Sequence, residues 1–184
     1  MRAGEVVFLW VTCLLLQAQD HPAVNADAAI VQDFEKRMAD YAKLRHTLES
    51  QEPALKSTGS QEKIVHHEHE LARKIRQARE HARQGDIFSP PIAAEFRRLI
   101  GLAMQGADGA RIHESLRNAE PVRIKLRVNQ AYPSNIPLQS TPPTILLNLP
   151  ALPPECDYRL MGHDLVLRDA KTNLIVDIVP DAIT

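Results

Sequence analysis

Once the first 26 residues are set aside, the chain lacks a second cysteine: of its two, Cys13 and Cys156, only the latter remains. No intramolecular disulfide can then form, and Cys-x-x-Cys redox chemistry is excluded. The fold must hold by packing alone. Cys156 reads as a small buried hydrophobe with no assigned role. The chain also lacks an excess of either charge, with 22 Lys and Arg against 23 Asp and Glu. Residues 27–119 carry 15 against 14, and residues 120–184 carry 6 against 7. Without a basic field, nucleic acid and anionic membrane are disfavoured as partners. No apolar run reaches the roughly 20 residues of a spanning helix, so no stable membrane span is expected after leader cleavage. Gly-x-Ser-x-Gly is missing, and the glycines of 101–109 follow no strand and precede no Lys-Ser/Thr pair, which excludes a phosphate loop.

What is present begins with Val6 to Leu16, an apolar run behind Arg2. A basic start, an apolar core of about 7 to 15 residues and small residues at a cut form a secretory signal. Two cuts compete, after Ala18 and after Ala26, and the second is preferred, making 1–26 a signal peptide. Glu5 weakens the basic start, and an uncleaved anchor or a misplaced start codon is the alternative. Cys13 comes after Trp10, Val11 and Thr12 rather than small residues, which argues against lipidation. Cleavage leaves 158 or 166 residues, enough for one domain with a core.

Residues 27–119 are predicted to be helical. Ile30, Phe34, Met38, Tyr41, Leu44 and Leu48 recur at three- and four-residue steps, giving a helix over about 28–49. Pro53 and Ser57 to Ser60 interrupt it. A second helix is expected over about 61–84, with Ile64, Leu71, Ile75, Ala78 and Ala82 as its stripe and Gly85 as its stop. The two suggest an antiparallel hairpin, and their narrow stripes suggest a homodimer through residues 28–84. Ser89-Pro90 opens a third helix bearing Ile92, Phe96, Leu99, Ile100 and Ala103, and a short fourth carries Ile112 and Leu116.

Eight of the 13 prolines lie between 121 and 154, and from 120 the expectation turns to β. Val122, Ile124, Leu126 and Val128 alternate with polar residues as a half-buried strand. Thr144 to Leu149, framed by prolines, reads as a short edge strand. Tyr158–Met161, Asp164–Arg168 and Leu174–Val179 come next, joined by connections short enough for hairpins. The expected class is α+β: a long antiparallel helical hairpin and short helices, then a small antiparallel β-meander. The proline-framed meander packs with the helices as one domain or stands as a small second one.

The segment Tyr158 to Asp169, with Gly162-His163-Asp164 and Leu167-Arg168-Asp169, continued by Ile175-Val176-Asp177, resembles the closing hairpin of the periplasmic nickel and cobalt homeostasis family. The resemblance covers about residues 158–179 and implies the compartment and the hairpin shape. It brings over no metal-binding residue, and the helical half has no counterpart in that family.

His66-His67-Glu68-His69-Glu70 is a separate candidate for metal chemistry. On a helix His66, His69 and Glu70 share one face, where they could hold a divalent transition metal such as zinc, nickel or copper, with water completing the shell. The alternative is a solvated, histidine-rich face, because one helix offers ligands on one side while structural sites want four. His67 falls beside Ile64 and Leu71 and reads as packed. The run passes into Leu71 and Ala72 without the His-Glu-x-x-His spacing, so it is no zincin. Glu155, Asp157, Asp164, Asp169 and Asp177 sit at turns and strand ends, where solubility and turn geometry account for acids.

These features converge on a periplasmic or secreted, non-enzymatic binding or structural protein of the cell envelope, with an envelope protein as a potential partner. A periplasmic divalent-metal-binding or metal-homeostasis protein is the alternative, and an envelope-polymer hydrolase is a third reading without an identified nucleophile. Fusing residues 1–26 to a reporter enzyme active only after export tests the leader. Export activity is expected, with loss on Leu14→Arg plus Leu15→Arg; activity retained in that double variant would refute the signal.

Overall fold

A computed structural model describes residues 26–52, 60–105, 109–118, 124–133 and 141–183. Residues 1–25 of the expected signal peptide, Pro53 and Ser57 to Gly59 of the expected break, and Val122 lie outside the described residues. Within them the order is α1 (Ala26–Ser50), α2 (Gln61–Ala78), α3 (Pro90–Met104), α4 (Gly109–Asn118), α5 (Pro143–Leu146), β1 (Cys156–Met161), β2 (Asp164–Asp169) and β3 (Leu174–Val179). The class is α+β, with a three-stranded antiparallel meander of order β1-β2-β3. No helix of the described residues is long and apolar enough to cross a membrane.

The α1 stripe folds inward. Phe34, Met38 and Tyr41 are buried, and the next buried position is Arg45 rather than Leu44. Three of the four phenylalanines meet at the centre: Phe34 from α1 stacks on Phe88 with ring centroids 5.7 Å apart, and Phe96 from α3 lies 4.9 Å from Phe34 and 5.0 Å from Phe88. Tyr158 of β1 extends this cluster edge-on to Phe96 at 5.9 Å, so one apolar core joins helices and sheet. Aromatic pairs in such geometries add about 0.5–1.5 kcal/mol each to the area they bury.

The opposite face of the sheet is covered too. Met161, Val166, Ile175 and Ile178 pack there with Tyr132, with Leu126 and Val128 alongside. Burial on both faces explains why Leu174–Val179 reads as a continuous apolar run interrupted only by Asp177.

Helices α1 and α2 run antiparallel, since Glu52 pairs with Lys74, the Tyr41 ring lies under Arg79, and Arg37 donates to the Asp86 carbonyl. Ser60 caps α2 by accepting from the Lys63 amide at 3.5 Å. Leu71, Ala72 and Ile75 bury, whereas Ile64 and Val65 stay exposed on the first turns. Among the described residues of the expected dimer region, Ile64 and Val65 are the exposed large apolar side chains, the α1 stripe being used inside the chain.

Three expectations are corrected. Helix α2 ends at Ala78 instead of Gln84, because tertiary partners take over: Asn129 Nδ2 donates to the Arg76 and Arg79 carbonyls at 3.0 and 2.9 Å, and Arg79 Nη2 reaches the Val176 carbonyl at 3.0 Å. Helix-end carbonyls need such partners, and here a distant side chain supplies them. Thr144 to Leu149 is not a strand; Pro143 opens the four-residue helix α5, and the Pro142 carbonyl accepts from Ile145 and Leu146 at 3.0 and 3.2 Å. Proline at the first helical position favours this outcome. Residues 124–128 form no regular strand either. Asn129 turns the chain with φ 66°, and pairing against β3 occurs further on, through Asn129 N to Ile175 O at 2.8 Å and Tyr132 N to Asn173 O at 2.7 Å.

The connection from α2 to α3 is pinned by Asp177. This fully buried carboxylate accepts amide hydrogens from Gly85 at 3.0 Å, Ile87 at 2.8 Å and Phe88 at 2.8 Å, besides that of Ile178 at 2.8 Å. Gly85 has φ 95°, a left-handed conformation that a side chain would strain. Asp177→Ala strands the two buried amides of Ile87 and Phe88 and the half-buried one of Gly85, and is expected to destabilise the protein by about 3 kcal/mol. Urea unfolding measures this, and a midpoint within error of the native protein would show that the cradle contributes nothing.

Candidate ligand cleft beside strand β1

Two polar constructions flank β1 and β2. The first ties α1 to the sheet. Asp169, fully buried at the end of β2, accepts from Tyr41 Oη at 2.9 Å, Arg45 Nε at 2.8 Å and the Thr172 amide at 3.0 Å. Arg45 Nη1 also reaches Glu49 at 2.7 Å, and Glu49 accepts from Lys171 at 2.5 Å, so the chain of charges runs from core to surface. Burial and the Asp169 charge push the Tyr41 hydroxyl well above the usual tyrosine range. The hydrogen bond from Lys171, reinforced by Arg45, holds Glu49 below the usual carboxylate range despite partial burial.

The second construction is a cleft of about 610 Å³, within the size range of small-molecule sites. One wall is the end of α5 with the chain leading away from it, Leu146, Leu147, Leu149, Pro150, Ala151 and Leu152; the other is β1 from Cys156 to Arg159. Thr141 Oγ1 donates to the Tyr158 carbonyl at 2.8 Å and Tyr158 Oη to the Pro150 carbonyl at 2.9 Å, fixing the wall to the strand. Leu147 is 84% exposed, unusual for a leucine beside a concavity of leucine and proline.

The polar end of the cleft is Asp157 with Arg159. Asp157 Oδ2 accepts from Arg159 Nε at 2.9 Å, Arg159 Nη2 at 2.6 Å and Arg168 Nη2 at 2.7 Å, while Oδ1 accepts from Arg168 Nε at 3.0 Å. Arg168 is locked further by Asn173 Oδ1 at 3.0 Å and by the Tyr132 ring, 5.7 Å from its guanidinium carbon. Burial opposes the Asp157 charge, but hydrogen bonds from Arg168 and Arg159 outweigh it and hold the carboxyl below its usual range. The Cys156 thiol is pushed up to about 12, by burial first and then by the Asp169 charge, and is therefore protonated at neutral pH.

The residues of the sequence-based metal candidate sit elsewhere, on the first turns of α2. His66 and His69 are exposed, His67 is half-buried, and Glu70 accepts from Arg73 Nε at 3.1 Å. Among the described residues, no group of three or more His, Cys, Asp or Glu is arranged to hold a metal ion.

Three acids of the β half depart from the expectation of turn residues serving solubility and turn geometry: Asp169 and Asp177 are fully buried and Asp157 is clamped by two arginines. Asp164 agrees with it, accepting the Asp181 amide at 3.0 Å at the start of β2. Sequence reasoning also misses the cleft, whose wall has the pattern of a strand. The signal available is the Pro142-Pro143 pair, which starts a helix as readily as it frames a strand. Comparison of the chain with models of known protein families, with curated proteins and with solved structures finds no match.

The depressed Asp157 and Glu49 predict an acid limb of stability. Carboxyls whose folded pKa lies below the unfolded value, about 4, contribute stability fully above that value and lose it as pH falls through the folded one. Unfolding midpoints should therefore hold level from pH 7 to about 5 and drop below about 4. Asp157→Asn is expected to lower the neutral-pH midpoint and flatten the acid drop; an unchanged slope would show that the clamp does not couple to folding.

Proposed function

We propose that this is an exported, non-enzymatic binding protein of the cell envelope, and that it holds its ligand or partner in the cleft beside β1. The observation that carries the reading is Leu147, 84% exposed on the rim of a leucine- and proline-walled concavity. Isolated exposed apolar residues are ordinary, but one that continues an open apolar cleft favours a surface covered by something else when the protein acts. Export is supported by the leader-like Val6 to Leu16 and by the resemblance of residues 158–179 to a periplasmic hairpin.

A binding role is favoured over catalysis by the state of the groups at hand. The Cys156 thiol, pushed up to about 12, is a poor nucleophile, and the Asp157 carboxylate is fully engaged by arginines instead of being poised to take a proton. The cleft offers apolar side chains and an ion pair, a composition suited to holding a small molecule.

A neutral environment-sensitive dye such as N-phenyl-1-naphthylamine tests the cleft. The folded protein is expected to enhance its fluorescence, and Leu147→Asp, placed on an exposed residue and so without cost to the core, should weaken dye binding about tenfold or more. Equal binding by the native protein and the variant would remove the cleft as the site.

A further inference from the structure

We propose that the cleft ligand is a single-chain amphiphile with an anionic head, its chain laid along the α5 wall and its head on Arg159; this rests on the cleft being the binding site. The charge balance at the cleft end is the starting point. Two guanidiniums, Arg159 and Arg168, converge on the single carboxylate of Asp157. Arg168 is turned away from any ligand, since Nε and Nη2 are held by Asp157 and Nη1 by Asn173, and its side chain is only 9% exposed. Arg159 spends Nε and Nη2 on the same Asp157, which leaves its Nη1 edge unengaged by that carboxylate.

The clamp as a whole therefore carries one positive charge more than its own acid cancels, and Arg159 is the cation that lines the cleft. A half-buried guanidinium that shares its counterion is a preorganised receptor for a second anion, because Asp157 already fixes its rotamer and plane. The same cleft is lined by Leu146 and Leu147, both exposed, whose side chains carry no donor or acceptor to satisfy. A cation and an apolar lining in one cleft match a molecule that carries both an anionic group and an apolar chain. A small hydrophilic anion would leave the wall wet, and a neutral hydrocarbon would leave Arg159 without its second partner. Carboxylate and phosphate heads share the chemistry that Arg159 recognises.

The full mature protein is titrated by calorimetry with laurate, lauryl phosphate and lauryl alcohol below their aggregation concentrations, with Arg159→Gln and Arg159→Lys alongside. At least one anionic amphiphile is expected to bind about tenfold more tightly than the alcohol, the value of one charge-assisted hydrogen bond. The preference should vanish in Arg159→Gln and persist in part in Arg159→Lys, with the anion's affinity falling far more than the alcohol's. Laurate alone or lauryl phosphate alone identifies the head. Equal binding of all three to the native protein overturns the anionic preference while leaving the cleft as a binding site. Binding of none of them, in a protein that still binds the apolar dye through Leu147, overturns the amphiphile and keeps the cleft; failure of both probes removes the cleft itself. The comparison among ligands on the native protein stands even if a variant fails to fold.

Discussion

The carboxylate of Asp169 sits at the end of β2 with no contact with solvent, and an ionised group in that position is tolerable only when its charge and lone pairs are met. Tyr41 and Arg45, one turn apart on α1, and the Thr172 amide meet them. That requirement fixes the rotation and height of α1 on the sheet: sliding the helix by one turn would leave both the aspartate and the arginine buried and unpaired. Packing of Phe34 and Met38 supplies the larger share of the favourable free energy, yet apolar contacts alone tolerate rotation. The ion pair gives the arrangement its single register, and Phe88 and Phe96 then close around a fixed partner.

Asp177 does for the chain between α2 and α3 what Asp169 does for α1. Its buried carboxylate collects the amides of Gly85, Ile87 and Phe88, and so presents Phe88 to the aromatic cluster and starts α3 at Pro90. The third strand-face acid, Asp157, works on the opposite side of the sheet, where it locks Arg168 and shapes Arg159. Three carboxylates on a small meander thus organise a helix, a loop and the end of a cleft. The proposed preference for an anionic head arises at the last of these: where Asp169 and Asp177 are saturated by the groups around them, Asp157 is outnumbered.

The helices and the meander were legible because each advertises its period locally. Phe34, Met38 and Tyr41 mark a helix face, and Tyr158 to Val179 contains three runs separated by turns too short for anything but hairpins. Leu44 illustrates the limit: periodicity places it in the buried stripe, but the position facing the sheet belongs to Arg45, whose burial depends on an aspartate 124 residues away. The same limit explains the strand expected over Thr144 to Leu149 and the long α2. Pro142-Pro143 fits either a framed strand or a helix start, and the Pro142 carbonyl, taking the amides of Ile145 and Leu146, closes the helix turn. The pattern through Gln84 is helical, but Asn129 took the Arg76 and Arg79 carbonyls, and Asp86 the Arg83 amide, that would have continued it.

By itself, the sequence determined the elements that depend on neighbours along the chain: an apolar run at the start, amphipathic helices, and hairpins set by turn length. It also determined that residues 27–184, with Cys156 as their one cysteine, form no disulfide among themselves and must rely on packing. Only the tertiary structure decided which acids would be buried, where the cleft opens and which arginine faces it. Charge in a sequence carries no indication of burial, because the cost of burying a carboxylate is offset by donors that arrive from elsewhere in the fold. Asp169, Asp177 and Asp157 look alike in the chain and differ only in the partners that folding brings to them.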